Sequence, residues 1–152
     1  MDAEGLTQQG TLTQIALVVD DIERASRAWA EALGVEVPAW SLTDPREQAH
    51  TRYRGQPTEA RAKLAFFHLG QVSIELIEPV GGPSTWRDGL GKGGCRVHHV
   101  AFHVKDADRA AARLQAQGAA VVQTGDYPGG RYVYLDAAER LGLVLELLAD
   151  RP

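Results

Sequence analysis

The sequence predicts an α+β fold made of two βαβββ modules in a pseudo-twofold arrangement, closing around a metal-binding cup. Three observations predict it. Residues Gln14 to Ala32 (QIALVVDDIERASRAWAEA) superimpose without a gap on His99 to Gln117 (HVAFHVKDADRAAARLQAQ), and each copy reads as a strand entering a helix. Further along each copy, the apolar strands VSIELI and LVLELL carry one internal carboxylate, Glu75 and Glu146. One helix for every three or four mostly antiparallel strands belongs to an α+β protein, whereas duplicated strands alone would give a sandwich.

In the first copy, Ile15, Leu17 and Val19 share one face of a strand and Gln14, Ala16 and Val18 share the other, following the two-residue period of extended chain. The helix begins after Asp20 or Asp21. Asp20 with Glu23 three residues later suits a capping box, and Ile22, Ala25, Trp29 and Leu33 recur at helical spacing until Gly34 stops the run. VEVPAW is readable as a strand. The polar stretch SLTDPREQAHTRYRGQPTEARAK, with Pro45 and Pro57, is expected to cover an opening. Leu64 to Leu69 and Val72 to Ile77 form a hairpin around Gly70 and Gln71. EPVGGPSTWRDGLGKGG reads as a linker. Its GLGKGG lacks a Ser or Thr after the lysine and a strand before it, so it is not a phosphate loop. In the second copy the helix stripe becomes Ala107, Ala110 and Leu114, ended by Gly118, on a helix expected to equal the first in length. Strands at Arg131 to Leu135 and Leu143 to Leu148 complete it. The expected organisation is one domain over residues 1–152, with module one at about 12–79, a linker at 80–96 and module two at about 97–149.

Composition narrows the partners. With 44% hydrophobic and 24% charged residues the chain is an ordinary globular protein. A net charge of −4 argues against nucleic acid, whose phosphates demand concentrated Lys and Arg. The acidic start MDAEGLTQQG reads as neither a secretory signal nor a membrane anchor, and the single Cys95 excludes an internal disulfide and a multi-cysteine zinc site. A cytoplasmic protein acting on a small molecule is expected, with no nucleic-acid or membrane partner.

The chemistry lies in four polar residues. An ionised Glu146 among Leu143, Val144, Leu145, Leu147 and Leu148 costs several kcal/mol unless something compensates it. Glu75 between Ile74 and Leu76 poses the same problem. Either one alone could face solvent or an arginine; two at equivalent repeat positions make that reading weaker. His99 alternates with Ala101 and His103, as Gln14 does with Ala16, so a small residue follows each polar one and leaves room in a cavity. His98 falls on the opposite face and reads as structural, while His103 reads as a cavity contact. Taken singly, His99 reads as a hydrogen-bonded core residue and Gln14 as ordinary strand polarity, but Gln14 pairs with His99 and Glu75 with Glu146 across the repeat, so a twofold axis would bring Gln14, Glu75, His99 and Glu146 to one point as candidate metal ligands. Such an oxygen-rich set with one imidazole suits a divalent ion, Zn, Ni, Co or Mn. The ion would stabilise an enolate formed by proton removal next to a carbonyl, with a carboxylate at its edge as the base.

These residues resemble the vicinal oxygen chelate (glyoxalase/bleomycin resistance/dioxygenase) superfamily over roughly residues 12 to 149. Within it, IELIEPVGGPSTW, KGGCRVHHVAFHV and ASRAWAEALG are similar to methylmalonyl-CoA epimerases. The resemblance implies metal ligands at Gln14, Glu75, His99 and Glu146. The epimerases usually have histidine at the position of Gln14, and the present set is instead similar to that of the animal glyoxalase I. Extradiol dioxygenases need two histidines, which Gln14 disfavours. Neither Glu59 nor Glu47 matches the epimerases' further catalytic glutamate, and YLDAAERLGLVLEL departs from their C-terminal pattern. Arg52, Arg54, Arg61 and Lys63 could hold an anionic group or form a solvated loop.

The expected function is a metal-dependent isomerase or epimerase that abstracts a proton α to a carbonyl or thioester. Glu146 is the leading base and Glu75 its catalytic partner across the ion; an acyl-CoA or 2-oxo compound is the substrate and a homodimer the assembly. The alternative is a metal-free binding protein of the bleomycin-resistance type, holding an aromatic or cationic ligand against Trp40, Trp86 or Tyr127. A third is a lyase of the fosfomycin-resistance kind.

Overall fold

The computed structural model describes residues 4–152. The chain runs α1 (Leu6–Gln9), β1 (Gly10–Val19), α2 (Ile22–Leu33), β2 (Ser41–Leu42), α3 (Arg46–Ala49), β3 (Arg52–Tyr53), β4 (Gln56–Pro57), β5 (Arg61–Leu69) and β6 (Val72–Val80). After α4 (Thr85–Leu90) come β7 (Cys95–Val104), α5 (Ala107–Ala116), β8 (Ala120–Tyr127), β9 (Gly130–Asp136), α6 (Ala138–Leu141) and β10 (Val144–Asp150).

All strands join one mixed sheet in the order β2-β5-β6-β1-β7-β10-β9-β8-β3-β4, curled into a half-barrel. Its centre is the antiparallel pair β1 and β7, and each of these takes its own module's last strand, β6 or β10, in parallel. Each half thus orders its strands first, last, third, second, which is the twofold symmetry expected from the repeat.

Burial follows the pleat. Outward-facing Val19, Ala65, Phe67 and Leu76 pack against Ile22, Ala25 and Ala30 of α2. Val133, Leu135, Leu145 and Leu147 pack in the same way against Ala107, Ala110, Ala111 and Leu114 of α5. The concave face collects Ala16, Val18, Ala62, Ile77, Trp86, Tyr132 and Tyr134 into a third cluster. Asp21 and Asp106, equivalent in the repeat, cap the two helices by accepting from the backbone N–H of Arg24 and Arg109. The cap is therefore Asp21 and not Asp20, whose carboxylate instead accepts from Gly94 N and pairs with Arg24. Gly34, at φ 72°, ends α2 in the left-handed region that a side chain disfavours. The helices differ slightly in length, 12 residues against 10.

Two segments differ from the sequence expectation. VEVPAW forms no strand: Val35, Val37 and Trp40 stay exposed, and pairing begins only at Ser41. Residues 80–96, expected as a linker, contain α4 and the first residues of β7. Ser84 caps α4, and Trp86 drives into the concave cluster, 4% exposed, donating its indole N–H to Tyr134 at 3.0 Å. Trp86→Ala removes this wedge and is expected to cost about 3–5 kcal/mol of stability, read from urea unfolding.

The polar insertion has a defined course. It leaves module one as β2 on the edge of β5, then crosses to pair β3 with β8 on module two's outer edge. Thr43 is pinned to β5 through Thr43 N to Ala62 O and Ala62 N to Thr43 Oγ1, and Arg54 N bonds Val122 O on the other side. One chain thereby straps both edges of its own cup.

Candidate metal centre

Register explains why four distant residues meet. Ala16 on β1 is flanked by Glu75 on β6 and His99 on β7; Ala101 on β7 is flanked by Gln14 on β1 and Glu146 on β10. Each polar pair therefore straddles an alanine, and both alanines are fully buried. Two β-bulges sharpen this aim: Thr13 is the extra residue before Gln14, and His98 the extra residue before His99. These are equivalent positions in the repeat. A leucine at 101 would occupy the space between the four side chains. Ala101→Leu is expected to abolish metal uptake, measured by elemental analysis, while the far-UV spectrum is kept.

The centre is buried and crowded with acceptors. His99 is 0% exposed, Glu75 6% and Glu146 4%. One ligand atom from each lies within 4.8 Å of the others. His99 Nε2 lies 2.9 Å from Glu146 Oε2 and 3.4 Å from Glu75 Oε2, yet has no hydrogen-bond partner among the described residues. Gln14 turns its amide oxygen toward acceptors; with the amide rotated, its nitrogen donates to Glu146 Oε2 at 3.1 Å and Glu75 Oε2 at 3.3 Å. With the amide so rotated, Gln14 satisfies part of this acceptor cluster, and the two carboxylates still gather negative charge at one point. Either the rotated amide and a protonated His99 supply positive hydrogens, or a metal ion does.

His98 decides which nitrogen of His99 is free. Its Nε2 lies 3.2 Å from the Thr85 carbonyl, which can only accept, so this nitrogen carries the proton. Burial, with the neighbouring His99, lowers the His98 pKa to about 3 and keeps the ring neutral. Its Nδ1 therefore accepts from His99 Nδ1 at 2.8 Å, and a neutral His99 presents its Nε2 lone pair to the carboxylates. Strict alternation placed His98 on the other face; the bulge turns it back, so that both imidazoles contact Tyr134. Gly89 permits this, because a Cβ there would come within 2.8 Å of the His98 ring.

Electrostatics agrees with a cation site. Burial raises the Glu75 pKa, against the His99 contact, and Glu146 adds to the rise. Burial alone would lower the His99 pKa, but Glu146 and Glu75 outweigh it and raise it to about 9. Three carboxylate or imidazole donors and one amide thus fit a divalent ion, and the metal-free site compensates itself with one proton on His99.

Gln14, Glu75 and Glu146 open onto a cavity of about 390 Å³ walled by Phe66, Trp86, Tyr127, Tyr132 and Tyr134 and roofed by the strap through Ser41 to Asp44, Ala49 and Thr51. Trp86 and Tyr127 line it, but Trp40 lies outside under Lys63. His103 is not a cavity contact: it sits two residues beyond Ala101, past the rim, where it meets Asp150 at 3.0 Å. The four basic residues before Leu64 do not converge on an anion site. Arg61 binds the Thr43 carbonyl, Lys63 pairs with Glu78, Arg52 binds the Gly55 carbonyl, and Arg54 lies over the Tyr53 ring. Glu59 is exposed and pairs with Arg46. Asp44 and Asp126, absent from the sequence expectation, face the cavity; no motif marks them, because the strap's path alone places Asp44 there.

Known proteins are similar to this chain in sequence or in fold. A 2-epi-5-epi-valiolone epimerase from an Actinomyces species is 30% identical over 156 residues, covering 97% of this chain and 84% of its own. An ethylmalonyl-CoA/methylmalonyl-CoA epimerase of Cereibacter sphaeroides is 28% identical over 145 residues, covering 91% and 96%. Among solved structures, the methylmalonyl-CoA epimerase from Mycobacterium tuberculosis has the same fold, with a TM-score of 0.67 at 21% identity over 100% of this chain and 94% of that one. No helix among the described residues is long and apolar enough to cross a membrane. The family model of the glyoxalase/bleomycin resistance protein/dioxygenase superfamily matches residues 13–134, and the chain belongs to that superfamily.

Proposed function

We propose that the protein is a metal-dependent epimerase that removes and returns a proton on a carbon next to a carbonyl. The observation that carries this reading is the buried convergence of Glu75, His99 and Glu146, beside Gln14, at the floor of a substrate-sized cavity. These four residues would hold the ion. When bound, a divalent Zn, Ni, Co or Mn ion supplies Lewis-acid polarisation of a substrate carbonyl oxygen.

The chain's own residues do the rest. Glu146 is the leading base: its carboxylate reaches the cavity from a strand that is otherwise apolar, so it takes a proton in a site from which water is largely excluded. Glu75, on the other side of His99, shares the charge and holds the proton when Glu146 does not. His98 orients His99, and the strap shields the cavity from solvent. The curated relatives' names give epimerase chemistry on a valiolone and on acyl-CoA thioesters, which is the reaction class assigned here. A cytoplasmic setting and a homodimer belong to the same proposal, and sedimentation of the purified protein checks the second.

The test is solvent deuterium incorporation. Metal-loaded protein in D₂O is expected to exchange the α-proton of a chiral ketone or thioester, and chelator-treated protein is expected not to. Exchange that survives complete metal removal would contradict the metal-dependent reading.

A further inference from the structure

The lining of the cavity beyond the ion site is one-sided in charge. Among the described residues lining it there is no Lys, Arg or His, while two carboxylates beyond the ion site, Asp44 and Asp126, face in. Asp126 is already paired from outside with Arg151 at 2.5 Å and contacts His50 Nδ1 at 2.8 Å. Asp44 has no ion-pair partner among the described residues. It is held between Thr43, tied to β5 by its backbone N–H and its hydroxyl, and Pro45, whose ring fixes the next φ. Arg61, the nearest candidate counter-ion in sequence, spends its guanidinium on the Thr43 carbonyl at 2.6 and 2.9 Å.

A carboxylate only accepts hydrogen bonds, so whatever displaces water from Asp44 must bring a donor or leave a buried charge unsatisfied. Ser41, Thr51 and Tyr127 line the same space, and Trp86 is part of its wall. A ring bearing several hydroxyls matches that distribution. A further negative group away from the ion, such as a CoA phosphate inside the cavity, does not, because it would lie against Asp44 with no Lys, Arg or His on the lining to receive it.

We propose that the substrate of this site is an uncharged polyhydroxylated ketone, selected by Asp44, and that anionic acyl-CoA thioesters are refused. This rests on the epimerase reading above and names its substrate class.

The test uses zinc-loaded protein with two probes, 2-keto-myo-inositol and methylmalonyl-CoA, followed by calorimetry and by proton NMR in D₂O. The keto-inositol is expected to bind saturably and lose its α-proton signals, while methylmalonyl-CoA at the same concentration does neither. Asp44→Asn is expected to weaken keto-inositol binding at least tenfold with zinc content unchanged, and Asp44→Lys to gain affinity for methylmalonyl-CoA. Methylmalonyl-CoA binding and exchanging while the keto-inositol does not would overturn the substrate class and leave the epimerase reading intact. Failure of the keto-inositol to bind, or equal binding by wild type and Asp44→Asn, would also overturn it. Keto-inositol bound without any α-exchange would keep the class and overturn the epimerase reading.

Discussion

Glu146→Ala is expected to yield folded protein that has lost its metal. A residue that merely orients a metal ligand contributes roughly 10–100-fold to affinity, so removing a charged ligand should cost at least about 100-fold. The rate of α-proton exchange should fall further, because a positioned base is worth about 10²–10⁴-fold by itself. The fold should survive for a reason visible in the site. Losing Glu146 leaves His99 with a weaker claim to a second proton, and a neutral His99 still donates through Nδ1 to His98. Elemental analysis and exchange rates on one preparation check both effects. Near-stoichiometric metal in the alanine variant would remove Glu146 from the ligand set.

The metal-free and metal-loaded proteins should respond to pH in different ways. In the metal-free protein, burial opposes protonation of His99, but Glu146 and Glu75 prevail and its pKa stands near 9, above the ordinary 6.5. A group whose folded pKa is raised contributes stability that is complete below about pH 6.5 and disappears as pH climbs through 9. The raised Glu75 pKa acts in the same direction where Glu75 titrates, because burial makes its ionisation less favourable in the folded state than in the unfolded one. The melting temperature of chelator-treated protein should therefore decline between about pH 6.5 and 9. Metal ligation needs the Nε2 lone pair, so binding expels that proton, and apparent affinity should rise by about tenfold per pH unit until it levels off near 9. Melting curves with and without zinc across this range test both statements. A metal-free protein that became more stable toward pH 9 would contradict the charged triad.

Much of this architecture was legible in the sequence because the repeat is strict where packing is strict. The stripes of α2 and α5, the Gly34 stop and the carboxylates Glu75 and Glu146 each obey a local period, and the structure buries or half-buries the side chains those periods select. The repeat also pairs Gln14 with His99 and Glu75 with Glu146, and the pseudo-twofold axis makes these pairs neighbours. What was not legible depends on partners rather than on local pattern. A bulge is a mismatch between two strands, so the extra residues Thr13 and His98 leave no mark in one strand's alternation, which alone puts His98 on the wrong face. Trp86 lies in a Gly- and Pro-rich stretch whose composition hides a one-and-a-half-turn helix. The strap's crossing from β5 to β8 is set by an edge strand nearly seventy residues further on, so Asp44 and Asp126 could not be placed beside the cavity in advance.

The central claim is that one imidazole, two carboxylates and one amide surround a single ion. X-ray absorption at the zinc edge of the loaded protein tests it most directly. The account predicts a shell of oxygen and nitrogen with the outer-shell scattering of one imidazole, lost on Glu146→Ala. Two imidazoles, a sulfur ligand from Cys95, or a signal unchanged in that variant would contradict it.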